Sequence, residues 1–307
     1  MEYAEIKTLR STLLDEIFVA FGFSPESWAR RHLWPLAWLP AHIFSRVGTS
    51  FDEMVAHFGF TEAAKRVLPR FARGFHAFGQ EYVPEEGPLL VVSNHPGSID
   101  SLVISASVPR TDFKIVVGNI PFLRNLPATA KHLLYATTDM VERMTVLRDA
   151  IDHLRDGGAL LIFPSGRIDP DPAVLPGAEA ELNHWSRSVE LFVRKVPQTQ
   201  LLVTIVSDVL ARAYLSVPIL QAGKGLREKQ KLAEFLQIMQ QMVLPGSVDL
   251  FPRVSFDRPL TIDRLRSQMD HSIQDMHAII ERARRLMHIH MAAGFTQQSG
   301  ESTIHPM

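Results

Sequence analysis

The sequence predicts an α/β fold, with a mostly parallel central sheet flanked by helices and preceded by a small N-terminal helical domain. Short continuous apolar runs occur at residues 89–93, 159–163 and 201–206, and helical segments separate them. Such runs are typical of parallel strands that are buried on both faces. The apolar fraction of 46% is ample for the core that this architecture needs.

The first 75 residues have a different hydrophobic pattern, with helical spacing and no strand-like apolar runs. Apolar residues recur at three- and four-residue steps in residues 4–21, which predicts an amphipathic helix. Pro25, Pro35 and Pro40 are expected to break the helical pattern, which resumes over residues 52–74. We therefore expect a helical domain at 1–75, an α/β domain at 76–293 and a disordered tail at 294–307.

Further elements of the α/β domain follow from periodicity and turn residues. They are a strand at 113–117, helices at 144–156, 183–195 and 226–242, a strand at 247–256 and a long helix at 263–290.

Composition excludes several function classes. The net charge of -1 over 307 residues argues against a nucleic-acid partner, because neutralising phosphates needs a basic excess. The chain has no cysteine, so disulfides, thiolate metal sites and a cysteine nucleophile are excluded. The start lacks the basic and apolar regions of a signal peptide, and no apolar run reaches the ~20 residues of a membrane span. These features predict a cytoplasmic protein whose membrane contact, if any, is peripheral.

Three of the four tryptophans lie close together near a cationic segment. Trp28, Trp34 and Trp38 flank residues 30–32, which read Arg-Arg-His. Tryptophan beside cations is typical of the membrane interface. The alternative is that these rings pack inside the helical domain.

His95 directly follows the apolar run at 89–93, and Asp100 lies in the first turn of the expected next helix. Groups just past the carboxyl ends of parallel strands line the ligand crevice of α/β sheets. A carboxylate on one imidazole nitrogen frees the other nitrogen to take a proton from a hydroxyl. The alternative is that His95 caps a helix or satisfies a loop. His95 is the only one of the 13 histidines with an aspartate five residues later, which favours the catalytic interpretation.

A second loop follows the run at 159–163. Ser165 and Gly166 can expose backbone N–H groups, Arg167 can clamp a phosphate, and Pro164 stiffens the turn. The alternative is a proline-rich turn with a surface arginine.

A third loop contains Gly118 and Arg124, and Lys131 and Arg143 come after it. Several basic residues on loops of neighbouring strands favour an anionic substrate group, although solvated surface cations are the usual alternative.

These segments resemble the glycerolipid acyltransferases, which include the glycerol-3-phosphate and lysophosphatidic acid acyltransferases. Asn94-His95 and Asp100 match the family's first motif, and Gly118 with residues 122–124 matches the second. The third motif usually reads Phe-Pro-Glu-Gly-Thr-Arg; residues 163–167 read Phe-Pro-Ser-Gly-Arg here. The serine, and the Asp-Pro-Asp-Pro that follows, are closer to the soluble plastid-type glycerol-3-phosphate acyltransferases. The resemblance covers about residues 75–260.

The resemblance implies transfer of a fatty acyl group from an acyl-CoA or acyl-carrier-protein thioester to a hydroxyl of a phosphate-bearing glycerol acceptor, with glycerol-3-phosphate favoured. His95 would be the general base and Asp100 would orient it. Arg124 and Arg167 would hold the acceptor's phosphate. The loops and the motifs together give the candidate substrate-binding residues Ser98, Gly118, Arg124, Lys131, Arg143, Pro164, Ser165, Gly166 and Arg167.

No metal or other cofactor is implied, and His288 and His290 lie two positions apart in an expected helix, so they face different directions. Two alternatives remain: a lysophospholipid or other lipid acceptor, and a non-catalytic lipid-binding protein with the same fold. A hydrolase is disfavoured because no Gly-x-Ser-x-Gly segment is present.

Overall fold

The computed structural model describes residues 2–20, 27–137, 139–217, 225–267, 275–293 and 301–302. The α-helices are α1 (Glu2–Ala20), α2 (Trp28–Phe58), α3 (Phe60–Val67), α4 (Asp100–Ser107), α5 (Pro121–Arg124), α6 (Pro127–Ala130), α7 (Met140–Arg155), α8 (Ala178–Glu181), α9 (Ser188–Lys195), α10 (Arg212–Leu215), α11 (Leu226–Val243), α12 (Ile262–Ser267) and α13 (Asp275–Ala293). Short 3-10 helices span Leu68–Arg70, Gln80–Tyr82 and Leu182–His184. The strands are β1 (Phe75–Phe78), β2 (Leu89–Ser93), β3 (Lys114–Gly118), β4 (Leu133–Ala136), β5 (Ala159–Ile162), β6 (Gln200–Ser207), β7 (Arg253–Phe256) and β8 (Glu301–Ser302).

All eight strands form one sheet in the order β4-β3-β5-β2-β6-β7-β1-β8. The five strands from β4 to β6 are parallel, β7 is antiparallel to β6 and parallel to β1, and β8 is antiparallel to β1. The predicted fold class, a mostly parallel sheet flanked by helices and preceded by N-terminal helices, is confirmed. The carboxyl ends of the parallel strands meet at one edge of the sheet, which we call the carboxyl edge.

Strand β2 lies in the middle of the sheet, between β5 and β6, and all five of its residues are buried. Leu89 and Val91 join one hydrophobic core, while Leu90 and Val92 join the core on the opposite face. Successive strand residues point to opposite faces, so a strand with helices on both sides must be apolar throughout. This is why the apolar run at 89–93 identifies the centre of the sheet.

The N-terminal helices pack against each other through Phe18 of α1 and Ala37 and Ala41 of α2, all of which are buried. The predicted breaks at Pro35 and Pro40 are wrong, because both prolines lie inside α2. An internal proline removes one helical hydrogen bond. Packing of the small alanines against α1 outweighs that local preference. Pro25 lies outside the described residues.

Strands β1 and β4 were not predicted. The expected long helix at 263–290 corresponds to α12 and α13 in the described residues, and residues 268–274 lie outside them. Residues 301–302 pair with β1 where disorder was expected. The rest of the predicted tail, 294–300 and 303–307, lies outside the described residues. Within the described part of the chain, no helix has both the length and the apolarity to cross a bilayer.

Candidate active site

His95 and Asp100 meet at the carboxyl edge, directly after β2. The Nδ1–H of His95 donates to Asp100 Oδ2 at 2.8 Å, and the backbone N–H of Gly97 donates to the same oxygen at 3.1 Å. Asp100 is fully buried as the first residue of α4, whereas 27% of the His95 side chain is exposed. A carboxylate on Nδ1 fixes the tautomer and leaves Nε2 as the nitrogen that accepts a proton.

Asn94 anchors the loop before His95 to the neighbouring strand. Its side-chain N–H donates to the carbonyl of Val206 at 2.9 Å, and its side-chain oxygen accepts from the Val206 N–H at 2.8 Å. Asn94 is buried, so these two bonds satisfy an amide that has no access to water. The Asn of the first motif therefore fixes where the loop leaves the sheet.

Phe163, directly after β5, supports the imidazole from one side. Its ring lies parallel to that of His95, with 4.3 Å between the ring centroids and 22° between the planes. A stacked ring restricts rotation of the imidazole about its side-chain bonds. The sequence identified Phe163 only as a match to the third motif, and the structure gives it this contact.

Asp169 ties the loop after β5 to the loop after β2. The His95 N–H donates to Asp169 Oδ2 at 2.9 Å, and the Asp169 N–H donates to the His95 carbonyl at 2.7 Å. The backbone of His95 is thus held on both its polar groups. Asp169 was not predicted as a site residue, although the sequence showed its Asp-Pro-Asp-Pro segment.

Asp171 joins the same loop to the loop after β6. Its carboxylate accepts four backbone N–H groups at 2.9–3.2 Å, those of Ala173, Asp208, Val209 and Leu210. Asp208 has a φ of 59°, a left-handed conformation that is uncommon outside glycine. These bonds to Asp171 hold the strained turn in place.

Helix α11 covers this loop cluster from the side. Gln230 donates to the carbonyls of Pro96 and Asp169, both at 2.8 Å, and Glu234 accepts from the backbone N–H of Ser98. The sequence predicted the helix but not its contacts. The signal that could have found them is polar side chains at four-residue spacing on a helix with few buried apolar positions.

Burial and charge shift several pKa values in the cluster. Burial alone would lower the pKa of His95, but Asp100, together with Glu234 and Asp169, outweighs it and raises the pKa above 6.5. Burial raises the pKa of Asp169 to about 6, against the bond from the His95 N–H. Burial also raises the pKa of Asp171 to about 6, although its backbone donors oppose the rise. The pKa of Glu234 is raised by burial and by Asp100.

The loop that was predicted to bind phosphate, residues 163–167, lies beside the dyad, but its Arg167 forms an ion pair with Glu181. Arg167 contacts the buried carboxylate of Glu181, with Nη2 at 2.6 Å from Oε1, and Arg227 of α11 reaches Oε2 of the same group at 2.5 Å. His184 lies 3.6 Å from Glu181 as well. Two guanidinium groups therefore share one carboxylate, and both stay accessible, with side chains 42% and 36% exposed.

The other residues of this loop shape its backbone. The Ser165 hydroxyl donates to the Arg167 carbonyl at 2.9 Å. Gly166 has a φ of 64° and is exposed, so this turn needs a residue that adopts the left-handed region. Pro164 is buried and its carbonyl accepts from Ser186 at 2.9 Å. The segment holds Arg167 at the carboxyl edge.

Gly118 and Arg124 lie at the same edge but farther along the sheet. The guanidinium of Arg124 lies 4.3 Å from the ring centre of Tyr135 and donates to Asn119 at 2.7 Å. Strand β3 is two strands from β2, which corresponds to about 10 Å. Arg124 therefore follows a strand that is not adjacent to β2, and its described contacts are with Tyr135 and Asn119.

Lys131 and Arg143 flank the edge strand β4, three strands from β2. Lys131 precedes β4, so it lies at the opposite edge of the sheet from His95. Arg143 is exposed in the first turn of α7, after β4, on the carboxyl edge. The structure does not bring Lys131 to the dyad, because parallel strands place their amino ends away from the site.

No cluster of three or more histidine, cysteine or acidic residues suited to a metal occurs in the described ranges. His290 is buried between Ser207 and Ser255, at 2.8 and 2.7 Å, and burial lowers its pKa to about 3. His288 lies 3.5 Å from Glu179 instead. These histidines have structural partners of their own.

The arrangement can therefore deprotonate a hydroxyl at Nε2 of His95, with the imidazolium stabilised by a buried carboxylate, beside two accessible guanidiniums. A family model described as Acyltransferase matches residues 75–186, which include the dyad and the Phe163–Arg167 loop. The predicted resemblance to acyltransferases is confirmed by this match. No curated protein matches the chain. The crystal structure of the 1-acyl-sn-glycerophosphate (LPA) acyltransferase PlsC from Thermotoga maritima is similar over 96% of this chain and 100% of that one, at 14% identity and a TM-score of 0.47.

Proposed function

We propose that the chain moves a fatty acyl group from an acyl-CoA or acyl-carrier-protein thioester to a hydroxyl of a phosphate-bearing glycerol, with glycerol-3-phosphate as the first choice. The match of residues 75–186 to the Acyltransferase family model supports the reaction type. The observation that carries this proposal is the 2.8 Å bond between Nδ1 of His95 and the fully buried Asp100. That pair is the machinery which activates an alcohol against an activated carbonyl.

In the proposed reaction, Nε2 of His95 takes the proton of the acceptor hydroxyl as its oxygen attacks the thioester carbonyl. The carbon–oxygen bond forms and the carbon–sulfur bond breaks through a tetrahedral intermediate. The imidazolium then returns the proton to the leaving thiolate, so the products are an ester and a free thiol. Asp100 stabilises the transient imidazolium, and Phe163 and Asp169 hold the ring and the backbone of His95 in place.

The acceptor's phosphate is assigned to Arg167 and Arg227. Both guanidiniums meet at Glu181, and one carboxylate does not neutralise two of them. A phosphate offers acceptors to the donors that Glu181 leaves unused, and arginine suits it because of its forked geometry. Arg167 lies two residues before Asp169, and Asp169 bonds to the backbone of His95. The loop after β5 therefore carries both the arginine and the residue that contacts His95.

A lysophospholipid acceptor is the second candidate. The observation that favours it is an apolar surface on the N-terminal part of α2, where Trp28 is 75% exposed and Leu33, Trp38 and Leu39 are exposed as well. Such a surface suits contact with a bilayer that holds the acceptor. The serine form of the third motif instead supports the soluble glycerol-3-phosphate.

The test is acyl transfer by the purified chain from palmitoyl-CoA, and from palmitoyl-acyl-carrier protein, to glycerol-3-phosphate, lysophosphatidic acid or glycerol. We expect ester formation with glycerol-3-phosphate, and its loss in His95→Ala without a change in thermal unfolding. His57→Ala is the matched control, because His57 also has an acidic residue five positions later but is exposed on α2. Full activity in His95→Ala, or no transfer from either donor to any acceptor, would refute the proposal.

A further inference from the structure

Helix α11 carries a line of buried polar residues along one face. Gln230, Glu234, Gln237 and Gln241 are all nearly inaccessible, and their spacing of four, three and four residues places them on one side of the helix. Buried polar groups are expensive unless they are paired. Each of these residues bonds to backbone elsewhere in the chain.

The bonds of α11 reach the loops that follow three adjacent strands. Gln230 bonds to the loops after β2 and β5, through the carbonyls of Pro96 and Asp169. Gln237 bonds to the segment after β6, accepting from the Ala211 N–H at 2.8 Å and donating to the Val209 carbonyl at 2.9 Å. One helix face therefore sets the spacing of the three loops that form the carboxyl edge around His95.

We propose that Glu234 of α11 is a positioning residue for the His95–Asp100 dyad, acting through the backbone N–H of Ser98. The inference rests on the proposed acyl transfer by His95. Two consecutive backbone N–H groups are held by two carboxylates: Gly97 donates to Asp100 and Ser98 donates to Glu234. The turn between His95 and Asp100 is thereby clamped between α4 and α11.

The absence of a side chain at Gly97 leaves room for the carboxylate of Glu234. A Cβ added at position 97 would lie 2.7 Å from Oε1 of Glu234 and 3.1 Å from a methyl of Val209. Only glycine lets the carboxylate approach the turn so closely. Position 97 is therefore matched to position 234, which lies far away in the sequence.

Glu234 also completes the charge around His95. The acidic groups that face His95 come from three elements: Asp100 from α4, Asp169 from the loop after β5, and Glu234 from α11. Negative charge near an imidazole favours its protonated form. Loss of the Glu234 charge therefore shifts the titration of His95 to lower pH, whereas loss of a merely structural contact does not.

The experiment compares Glu234→Ala and Glu234→Gln by kcat, KM and the pH dependence of kcat/KM, with thermal unfolding measured in parallel. Glutamine retains an oxygen for the Ser98 N–H but not the charge. We expect kcat to fall about 10- to 100-fold in Glu234→Ala, since a small misplacement of reacting groups is costly. Glu234→Gln should recover most of kcat, with the acidic limb of the profile, where activity rises as His95 loses its proton, at lower pH. Glu228→Ala, an exposed carboxylate on the same helix, is the control.

Gly97→Ala disturbs the same contact between Glu234 and the turn by changing the turn. It is the alternative variant if Glu234→Ala does not fold. It should slow turnover comparably, and the added methyl should cost less once Glu234 is shortened, so the two effects should not add. Wild-type kcat and pH profile in Glu234→Ala, or equal loss of kcat in both Glu234 variants with the limb unmoved, would overturn the inference. If His95→Ala is inactive while these variants are normal, the proposed function stands and only the role of Glu234 fails.

Discussion

His95 and Asp169 are joined by two hydrogen bonds: the His95 N–H donates to the Asp169 carboxylate, and the Asp169 N–H donates to the His95 carbonyl. The proposed general base, His95, is thus held by a residue from the loop after the neighbouring strand as well as by its partner Asp100. This relationship joins the first motif to the third, and it makes the ionisation of Asp169 a property of the active site.

Replacing Asp169 with asparagine should flatten the dependence of stability on pH. The folded-state pKa of Asp169 is about 6, above its ordinary 3.8, so the folded chain binds this proton more tightly than the unfolded one. The stabilisation is present below pH 3.8 and is lost as the pH rises to about 6. Over that window we expect the unfolding free energy of the native chain to fall by about 1–3 kcal/mol relative to Asp169→Asn. Urea unfolding measures it, with exposed Asp249→Asn as control. Parallel pH curves for the native chain and Asp169→Asn would contradict the assignment.

The activity should rise with pH as His95 loses its proton, with a midpoint above pH 6.5, because the surrounding carboxylates raise its pKa. Asp100→Asn should move this midpoint to lower pH and reduce kcat about 10²- to 10⁴-fold, since the amide no longer stabilises the imidazolium. Initial rates from pH 5 to 9 in both proteins measure the two effects. A midpoint that is the same in both proteins would exclude Asp100 as the partner of the base.

Removal of the Arg167 side chain should weaken binding of the acceptor and leave binding of the acyl donor unchanged. We expect Arg167→Ala to raise the KM for glycerol-3-phosphate about 10- to 100-fold, with the KM for the acyl donor within about twofold, because a charge-assisted pair to phosphate is lost. Arg227→Ala should act in the same direction. Arg66→Ala, which removes an exposed ion pair with Glu62 at 3.0 Å, is the control. An unchanged acceptor KM in Arg167→Ala would remove that arginine from the site.

The exposed tryptophans of α2 should contribute to membrane binding. Trp28→Ala combined with Trp38→Ala should reduce flotation with anionic liposomes about tenfold, because interfacial tryptophan contributes strongly to such binding. Phe251→Ala removes an exposed aromatic ring elsewhere on the surface and should have no effect. If the tryptophan variant floats like the native chain, α2 is not the membrane contact.

The dyad was predictable because its determinants are local. His95 and Asp100 are five residues apart, and the run before them shows a buried strand without further information. Strands β1 and β4 have four residues each, as β5 does, but only the first residue of each is buried, so they are not the fully buried strands that apolar runs such as that of β2 indicate.

The supports of the dyad were not predictable in the same way. The bond between Asn94 and Val206 joins residues 112 positions apart, and that between Ser98 and Glu234 joins residues 136 positions apart. Sequence periodicity reports only which face of an element is apolar, and it does not specify the loop that a buried glutamate reaches. The prediction that Pro35 and Pro40 break the helix was wrong for a related reason. Packing of α2 against α1 outweighed the local tendency of proline to end a helix.

The position of α11 late in the chain has a consequence for biosynthesis. The ribosome completes the dyad, the Phe163 loop and β6 before it makes residues 226–243. A nascent chain therefore contains His95 and Asp100 before it contains the α11 partners of Ser98, Pro96 and Val209. We therefore expect fragments that end before α11 to contain His95 and Asp100 without the contacts that position their turn.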